Sequence, residues 1–256
     1  MYKSFSAVDY KKFFSLSESY HVDGFIVYGS YKKFPYDQLK NSLLKFHGNI
    51  QFSYLSHEFL TNILEFRVKD KIYWFTIAYG GALLSEYLHL ACLFGSKANI
   101  LLGSCGGLKR GLKGDDIIIP TCSYAEESSA KAYQPDSQNK YFADHNLSAQ
   151  LSAVLQPNYK VCNGETITYQ AMLAETWDDI QSWSAQNYVG VEMEAATVFA
   201  VSNYFNVPAA GILRVADNLI EEQTVLDINF EKNRDRRRSL SQEMFDVAIK
   251  VLLDSV

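Results

Sequence analysis

Three features of the 256-residue sequence predict an α/β fold built on a mixed sheet. The stretch from Val189 to Leu219 reads as strand end, buried helix and strand. Glu192-Met193-Glu194 leads into Ala195, Ala196, Val198, Phe199, Ala200 and Val201 at helical spacing, a break follows at Asn206-Val207-Pro208, and an apolar strand from Ala209 to Val215 ends on Asp217. Ile63–Val68 and Ile72–Ile77 face each other across Lys69-Asp70-Lys71 as a hairpin. Two short apolar runs, Gly24–Tyr28 and Ile100–Leu102, stop at glycine and serine. Val189–Leu219 has the length of one βαβ unit, about thirty residues, which would bring Glu194 and Asp217 to one edge of the sheet, where ligands of α/β sheets bind.

Composition narrows the class. A hydrophobic content of 48% with 14% aromatics supports a packed core, and neither a linker nor a repeat interrupts the chain, so residues 1–256 are expected to form one domain. The net charge of −5 gives no electrostatic reason to bind nucleic acid or an anionic membrane, so the expected partner is a small molecule. Cys92, Cys105, Cys122 and Cys162 are far apart with no CxxC, which suits reduced thiols in a cytoplasmic protein and argues against a metal site. The N-terminus has no apolar core of a signal peptide, and no run reaches the length of a membrane span.

In chain order, Tyr10–Leu16 is amphipathic and Gly24–Tyr28 is a strand. After it, Gly29-Ser30 can leave amide groups for an anion, with Lys32 and Lys33 close behind; an ordinary β-turn is the alternative. Beyond the hairpin, Ala82–Phe94 reads as a buried helix, with His89 a hydrogen-bonded helix residue. Ile100–Leu102 then enters Gly103-Ser104-Cys105-Gly106-Gly107, expected to be a turn whose amides and Ser104 hydroxyl meet a phosphate or sugar. Cys105 reads as a packed small residue, with a nucleophile as the alternative. Gly114–Pro120 is a turn and strand, Ser123–Asn146 a polar loop, Leu147–Leu155 a helix and Lys160–Cys162 a strand. Gly164–Thr168 leads into Tyr169, Met172 and Trp177, where an aromatic or a methionine can stack on a planar base or pack a lid. Arg234, Arg236, Arg237 and Arg238 open a final helix carrying Met244, Phe245, Ala248, Ile249, Leu252 and Leu253.

Four segments carry a resemblance: GSCGGL at Gly103–Leu108, GDDIIIP at Gly114–Pro120, VGVEMEAA at Val189–Ala196, and FNVPAAGILRVADN at Phe205–Asn218. With them, from Gly24 to the final helix, the chain resembles the nucleoside phosphorylase and nucleosidase superfamily. The resemblance implies a three-layer αβα sandwich around a mixed, partly barrel-like central sheet, assembled as a homo-oligomer. Breaking an N-glycosidic bond passes through a ribosyl cation, so such a site must hold the ribose hydroxyls, protonate the departing base and place an anion or water beneath C1′. On this resemblance Glu194 accepts from the 2′- and 3′-hydroxyls and Met193 packs on the sugar. Asp217 is the general acid at purine N7, protonated through burial or a neighbouring carboxylate. Ser104, Cys105 and Gly106, with Tyr169 and Met172, contact substrate, and Glu192 either supports the backbone or meets the base. Gly29, Ser30, Lys32 and Ser104 are the candidate phosphate contacts, and an arginine near Arg238 approaches Asp217.

The departures from the family pattern concern the anion. Many phosphorylases carry an arginine in the strand before the GSCG segment, where Leu101 and Leu102 stand here, and an early Gly-Asp-Pro-x-Arg loop, where Gly29-Ser30-Tyr31-Lys32-Lys33 stands. Methylthioadenosine nucleosidases, which need no phosphate, expect a glutamate soon after the first strand, and Gly29–Pro35 has none. The expected activity is phosphorolysis of a purine nucleoside to free base and ribose 1-phosphate, with inorganic phosphate as co-substrate, no other cofactor, and Lys32, Lys33 or Arg214 replacing the missing arginines. A nucleoside hydrolase and a catalytically silent nucleoside-binding protein are the alternatives.

Overall fold

A single ten-stranded sheet organises the computed structural model, which describes residues 1–48, 50–224, 226 and 234–256, the Arg234 side chain excepted. Its strands are β1 Gly24–Gly29, β2 Gln51–Tyr54, β3 Leu64–Val68, β4 Lys71–Ala78, β5 Asn99–Gly107, β6 Ile117–Tyr124, β7 Lys140–Phe142, β8 Val161–Thr168, β9 Gly190–Glu192 and β10 Ala209–Asn218. The order β10-β6-β8-β9-β5-β1-β4-β3-β2 acquires a further β10–β5 pairing, so five strands close into a ring, β1, β4, β3 and β2 extend it as an open sheet, and β7 pairs with β6 off this path. β5 lies in both parts, parallel to β1 and β10 and antiparallel to β9. This is the expected mixed, partly barrel-like sheet.

Helices cover it on two sides. One layer holds α1 Ala7–Phe13, α3 Gly81–Leu93, α4 Ala130–Tyr133 and α7 Ala195–Tyr204; the other holds α2 Pro35–His47, α5 His145–Leu155 and the last helix, α8 Arg234–Ser255. A short helix, α6 Trp177–Ala185, joins a smaller cluster with Leu108, Ile167, Ile180 and Tyr188. Every residue of α7 from Ala195 to Ser202 is buried, which explains its lack of a polar face: it is the interior helix of its layer. Among the described residues, no helix is long and apolar enough to cross a membrane.

Four sequence expectations are corrected. The Gly103–Gly107 segment is not a turn but the last half of β5, because β10 and β9 both pair with it and use its backbone in their ladders. β9 and β10 do not flank a parallel βαβ unit, since β9 runs antiparallel to β5 and β10 parallel to it; closure of the ring, not a crossover, brings their ends together. Ser123–Asn146 is not all loop, for β6 runs to Tyr124 and α4 and β7 follow. Strand β8 runs from Val161 to Thr168, so the strand expected at Lys160–Cys162 continues through the Gly164–Thr168 segment.

The last helix anchors the site from below. Phe245 is fully buried, stacks on Tyr28 of β1 at 5.5 Å and meets Phe75 of β4 edge-on at 5.7 Å. Replacing Phe245 with alanine leaves a cavity under the two central strands and should cost about 3–5 kcal/mol, read as a lower urea midpoint with an unchanged slope.

Candidate active site

Strand β5 is the floor on which the functional side chains converge. It is buried throughout from Asn99 to Gly103 and alternates only beyond, where Ser104 is exposed between the buried Gly103 and Cys105. Asp217, at the end of β10, has Gly106 as its register partner, after a bulge between Val215 and Asp217 that redirects the strand end. Asn218 pins that end by donating its side-chain amide to the carbonyls of Lys109 at 3.1 Å and Leu112 at 2.8 Å.

The two glutamates of the VEMEA segment divide their work. Glu192 is 4% exposed and accepts four hydrogen bonds: from the Glu194 and Ala195 amides at 2.7 and 2.6 Å, the Ser123 hydroxyl at 3.2 Å, and the Thr168 hydroxyl. It thereby satisfies free amides at the start of α7 and ties β6, β8 and β9 to that helix. Glu192 therefore takes the supporting role of the two expected for it.

Glu194, 5% exposed, turns the other way. Its Oε1 accepts from the Gly80 amide at 2.7 Å, and a Cβ at Gly29 would lie 2.5 Å from its Oε2. Both glycines are therefore structural requirements. Gly29 leaves the space the carboxyl occupies, and Gly80 holds a φ of 83° at the entry to α3 that presents its amide to the carboxyl. Gln170 completes this corner, accepting from the Gly81 amide at 3.0 Å and donating to the Met193 carbonyl at 2.9 Å.

The proton of this acidic pair belongs to Glu194. Burial and then the nearby Glu192 charge push the Glu194 carboxyl up to about 8. Burial pushes Glu192 up too, but its four donors oppose the rise. A third carboxyl was missed in the sequence: Glu175, half-buried just ahead of α6, is raised to about 7 by burial and by the neighbouring charge of Asp217. The capping box of α6, with Thr176 and Asp179 bonded reciprocally, fixes the chain at Glu175 and was the legible signal for it. Glu175 and Asp217 therefore lie close enough for the charge of one to reach the other.

Other expected residues lie as follows. Cys105 is corrected as a side-chain contact: its thiol is buried on the opposite face from Ser104, 3.8 Å from the Arg214 carbonyl, and burial raises it far above the reactive range. Gly106 packs under Leu219, and Met193 is half-buried beside Glu194. The Tyr169 ring packs on Trp183 at 5.3 Å, while Met172 is 44% exposed at the rim. Ser30 donates its amide to the Ala78 carbonyl at 2.7 Å, and its hydroxyl oxygen accepts from the Lys32 amide at 3.0 Å, which leaves the hydroxyl proton able to donate. Lys32 and Lys33 are exposed. Arg236 pairs with Asp115 at 2.7 Å, and Arg238 is exposed with its carbonyl bonded to Gln38. His89 is hydrogen-bonded to Tyr133 at 3.1 Å. Among the described residues, no group of three or more His, Cys, Asp or Glu is placed to hold a metal ion.

A raised carboxyl makes stability pH-dependent with a definite sign. The folded state holds the Glu194 proton between the ordinary value of 4.5 and about 8, so its contribution is complete below 4.5 and is lost as the pH rises through about 8. Glu194→Gln should therefore become progressively more stable than the wild type across that window, by up to about 1.4 kcal/mol per pH unit. Urea titrations at several pH values would show this; parallel curves would refute it.

The comparisons with known proteins agree with this geometry. The family model of the phosphorylase superfamily matches residues 81–250, more than half of the chain. A DeoD-type purine nucleoside phosphorylase from Aliivibrio fischeri is 28% identical over 197 residues, 70% of this chain and 81% of that protein. Guanosine phosphorylase from Halorubrum lacusprofundi is 27% identical over 119 residues, 46% of this chain and only 49% of that protein. Among solved structures, uridine phosphorylase from Vibrio fischeri superposes with a TM-score of 0.73 at 19% identity, covering 94% of this chain and 99% of that one. An MTAN variant from Helicobacter pylori, with 5′-methylthioadenosine in its active site, gives 0.69 at 15% identity, covering 93% and 100%. From the family match, the shared mixed sheet and the VEMEA and Asp217 segments at one strand, the chain belongs to the phosphorylase superfamily, whose members act on nucleosides.

Proposed function

We propose that the protein cleaves the N-glycosidic bond of a purine nucleoside with phosphate, giving free base and ribose 1-phosphate. The observation that carries this reading is the arrangement along β5: the Glu194 carboxyl on one side, Asp217 opposite Gly106 on the other, and the exposed Ser104 hydroxyl between them. A ribose seated over Ser104 donates its 2′- and 3′-hydroxyls to Glu194 and presents the base to Asp217. Asp217, as the general acid, gives its proton to N7 as the C1′–N9 bond breaks and its electron pair moves into the purine. A phosphate oxygen then forms the new bond to C1′ of the ribosyl cation. Glu194 is the residue that responds to the cation, since hydroxyls donating to it favour its ionised form and place negative charge beside C1′.

The acid at Asp217 favours purines, because a uracil leaving group has no N7 to protonate. Curated relatives called purine nucleoside phosphorylase support the same choice. The four free cysteines fit a reducing cytoplasm, and we place the protein there as a homo-oligomer.

Base release from inosine, adenosine, guanosine, uridine and methylthioadenosine, each with and without phosphate, tests the reading. Purine turnover that requires phosphate is expected, with Asp217→Asn lowering kcat by ~10²–10⁴-fold. Equal turnover without phosphate would make the protein a hydrolase, and binding without turnover would make it a nucleoside-binding protein.

A further inference from the structure

Between Ala171 and Trp177 every residue is exposed except Glu175, which is turned inward and half-buried. Burying a carboxyl costs free energy unless a donor meets it, and among the described residues none hydrogen-bonds to this one. The backbone nevertheless holds it in place from both sides. Its amide donates to the Met172 carbonyl at 3.3 Å, closing the short turn Met172–Ala174, and the Thr176–Asp179 capping box starts α6 directly after it. Helix α6 is seated in turn by Ile180 and Trp183, in the same cluster as Leu219 and Ile220 of the turn that follows Asp217.

The segment from Gln170 to Glu175 therefore spans the site. At one end Gln170 is bonded to Gly81 and Met193 in the corner that holds the Glu194 carboxyl; at the other, Glu175 lies where the charge of Asp217 reaches it. A base that runs from a ribose on Glu194 to Asp217 has Glu175 beside its far edge. On that edge of a purine the group next to N7 is the 6-substituent, either an amino group that donates or an oxo group that accepts. An ionised carboxyl accepts from the first, and a protonated one donates to the second.

We propose that Glu175 is the specificity-determining residue of the base end, hydrogen-bonding the 6-substituent of a purine whose N7 meets Asp217. This rests on the nucleoside-cleaving reading and deepens it, because it names the feature by which one purine nucleoside is told from another. Burial, then the charges of Asp217 from β10 and Asp179 from α6, push the Glu175 carboxyl up to about 7. Of the other charged groups on neighbouring elements, Glu221 is held by the Gly111 amide at 2.7 Å, and Lys109 and Arg110, just after β5, are exposed. The site therefore favours a 6-oxo base below that value, where Glu175 keeps its proton, and a 6-amino base above it.

The test measures kcat/KM for adenosine and inosine with the full chain and its Glu175→Gln and Glu175→Ala variants, at pH values on either side of about 7. Calorimetric binding of adenine and hypoxanthine is read beside it, and circular dichroism checks folding. The adenosine-to-inosine ratio cancels the ionisations of groups that treat both substrates alike, Glu194 among them. In the wild type this ratio should rise by ~10–100-fold from one pH unit below that value to one above it. Glu175→Gln, whose amide both donates and accepts at any pH, should cleave both substrates with a flat ratio. Glu175→Ala should lose ~10–100-fold in kcat/KM for the substrate preferred at each pH, again with a flat ratio. A residue that only supported α6 would lower both substrates together and leave the pH dependence of the ratio in place. Should Glu175→Ala fail to fold, the wild type and Glu175→Gln decide; should neither nucleoside be cleaved, the two base affinities are read in the same way. Purine turnover with a ratio that ignores pH in the wild type, or keeps its wild-type pH dependence in a folded variant, overturns Glu175 and leaves the nucleoside-cleaving reading standing. Base binding that depends on pH and on Glu175, without turnover, would do the reverse. A wild type that neither cleaves nor binds a purine overturns both.

Discussion

The buried carboxylate of Glu192 is the constraint on which the site depends. A charge taken out of water is tolerated only when donors surround it, and here they come from β6, β8 and the first turn of α7 together. The ring of strands and the helix are thus fixed at one point. The same bonds set the backbone at Glu194, whose carboxyl then has one direction to take, into the gap left by Gly29 and onto the Gly80 amide. The helix start is consumed by Glu192, so Glu194 lacks that stabilisation and carries the proton of the pair.

A second acidic pair stands at the other end of the site. Asp217 raises the cost of ionising Glu175, as a like charge in a half-buried setting must. Glu194 and Glu175 are thus both pushed toward the protonated form near neutral pH, each by burial and a neighbouring carboxylate.

Much of this was legible in the sequence, and what was not has particular causes. The strand, helix and strand of Val189–Leu219 were readable from spacing, and Glu194 and Asp217 stood out in the motif around each. Their route to one site was not, because closure of a sheet depends on pairings such as β10 with β5 that no local pattern encodes. Gly103–Gly107 looked like a turn since glycines usually mark one; in a doubly paired strand they serve close backbone packing instead. Helix α2, starting at Pro35, was hidden by its lysines and by a weakly apolar face. Cys105 and Ser104 are adjacent, and only the strand alternation, invisible while the segment was read as a turn, sends one to the core and the other to solvent.

The division of labour between the glutamates is tested most directly by calorimetric binding of a purine ribonucleoside and its 2′-deoxy counterpart to the wild type, Glu192→Gln and Glu194→Gln. If Glu194 is the ribose ligand, the wild type prefers the ribonucleoside, Glu194→Gln loses much of that preference, and Glu192→Gln keeps it despite a less stable fold. A preference that survives in Glu194→Gln and vanishes in a folded Glu192→Gln would contradict the assignment.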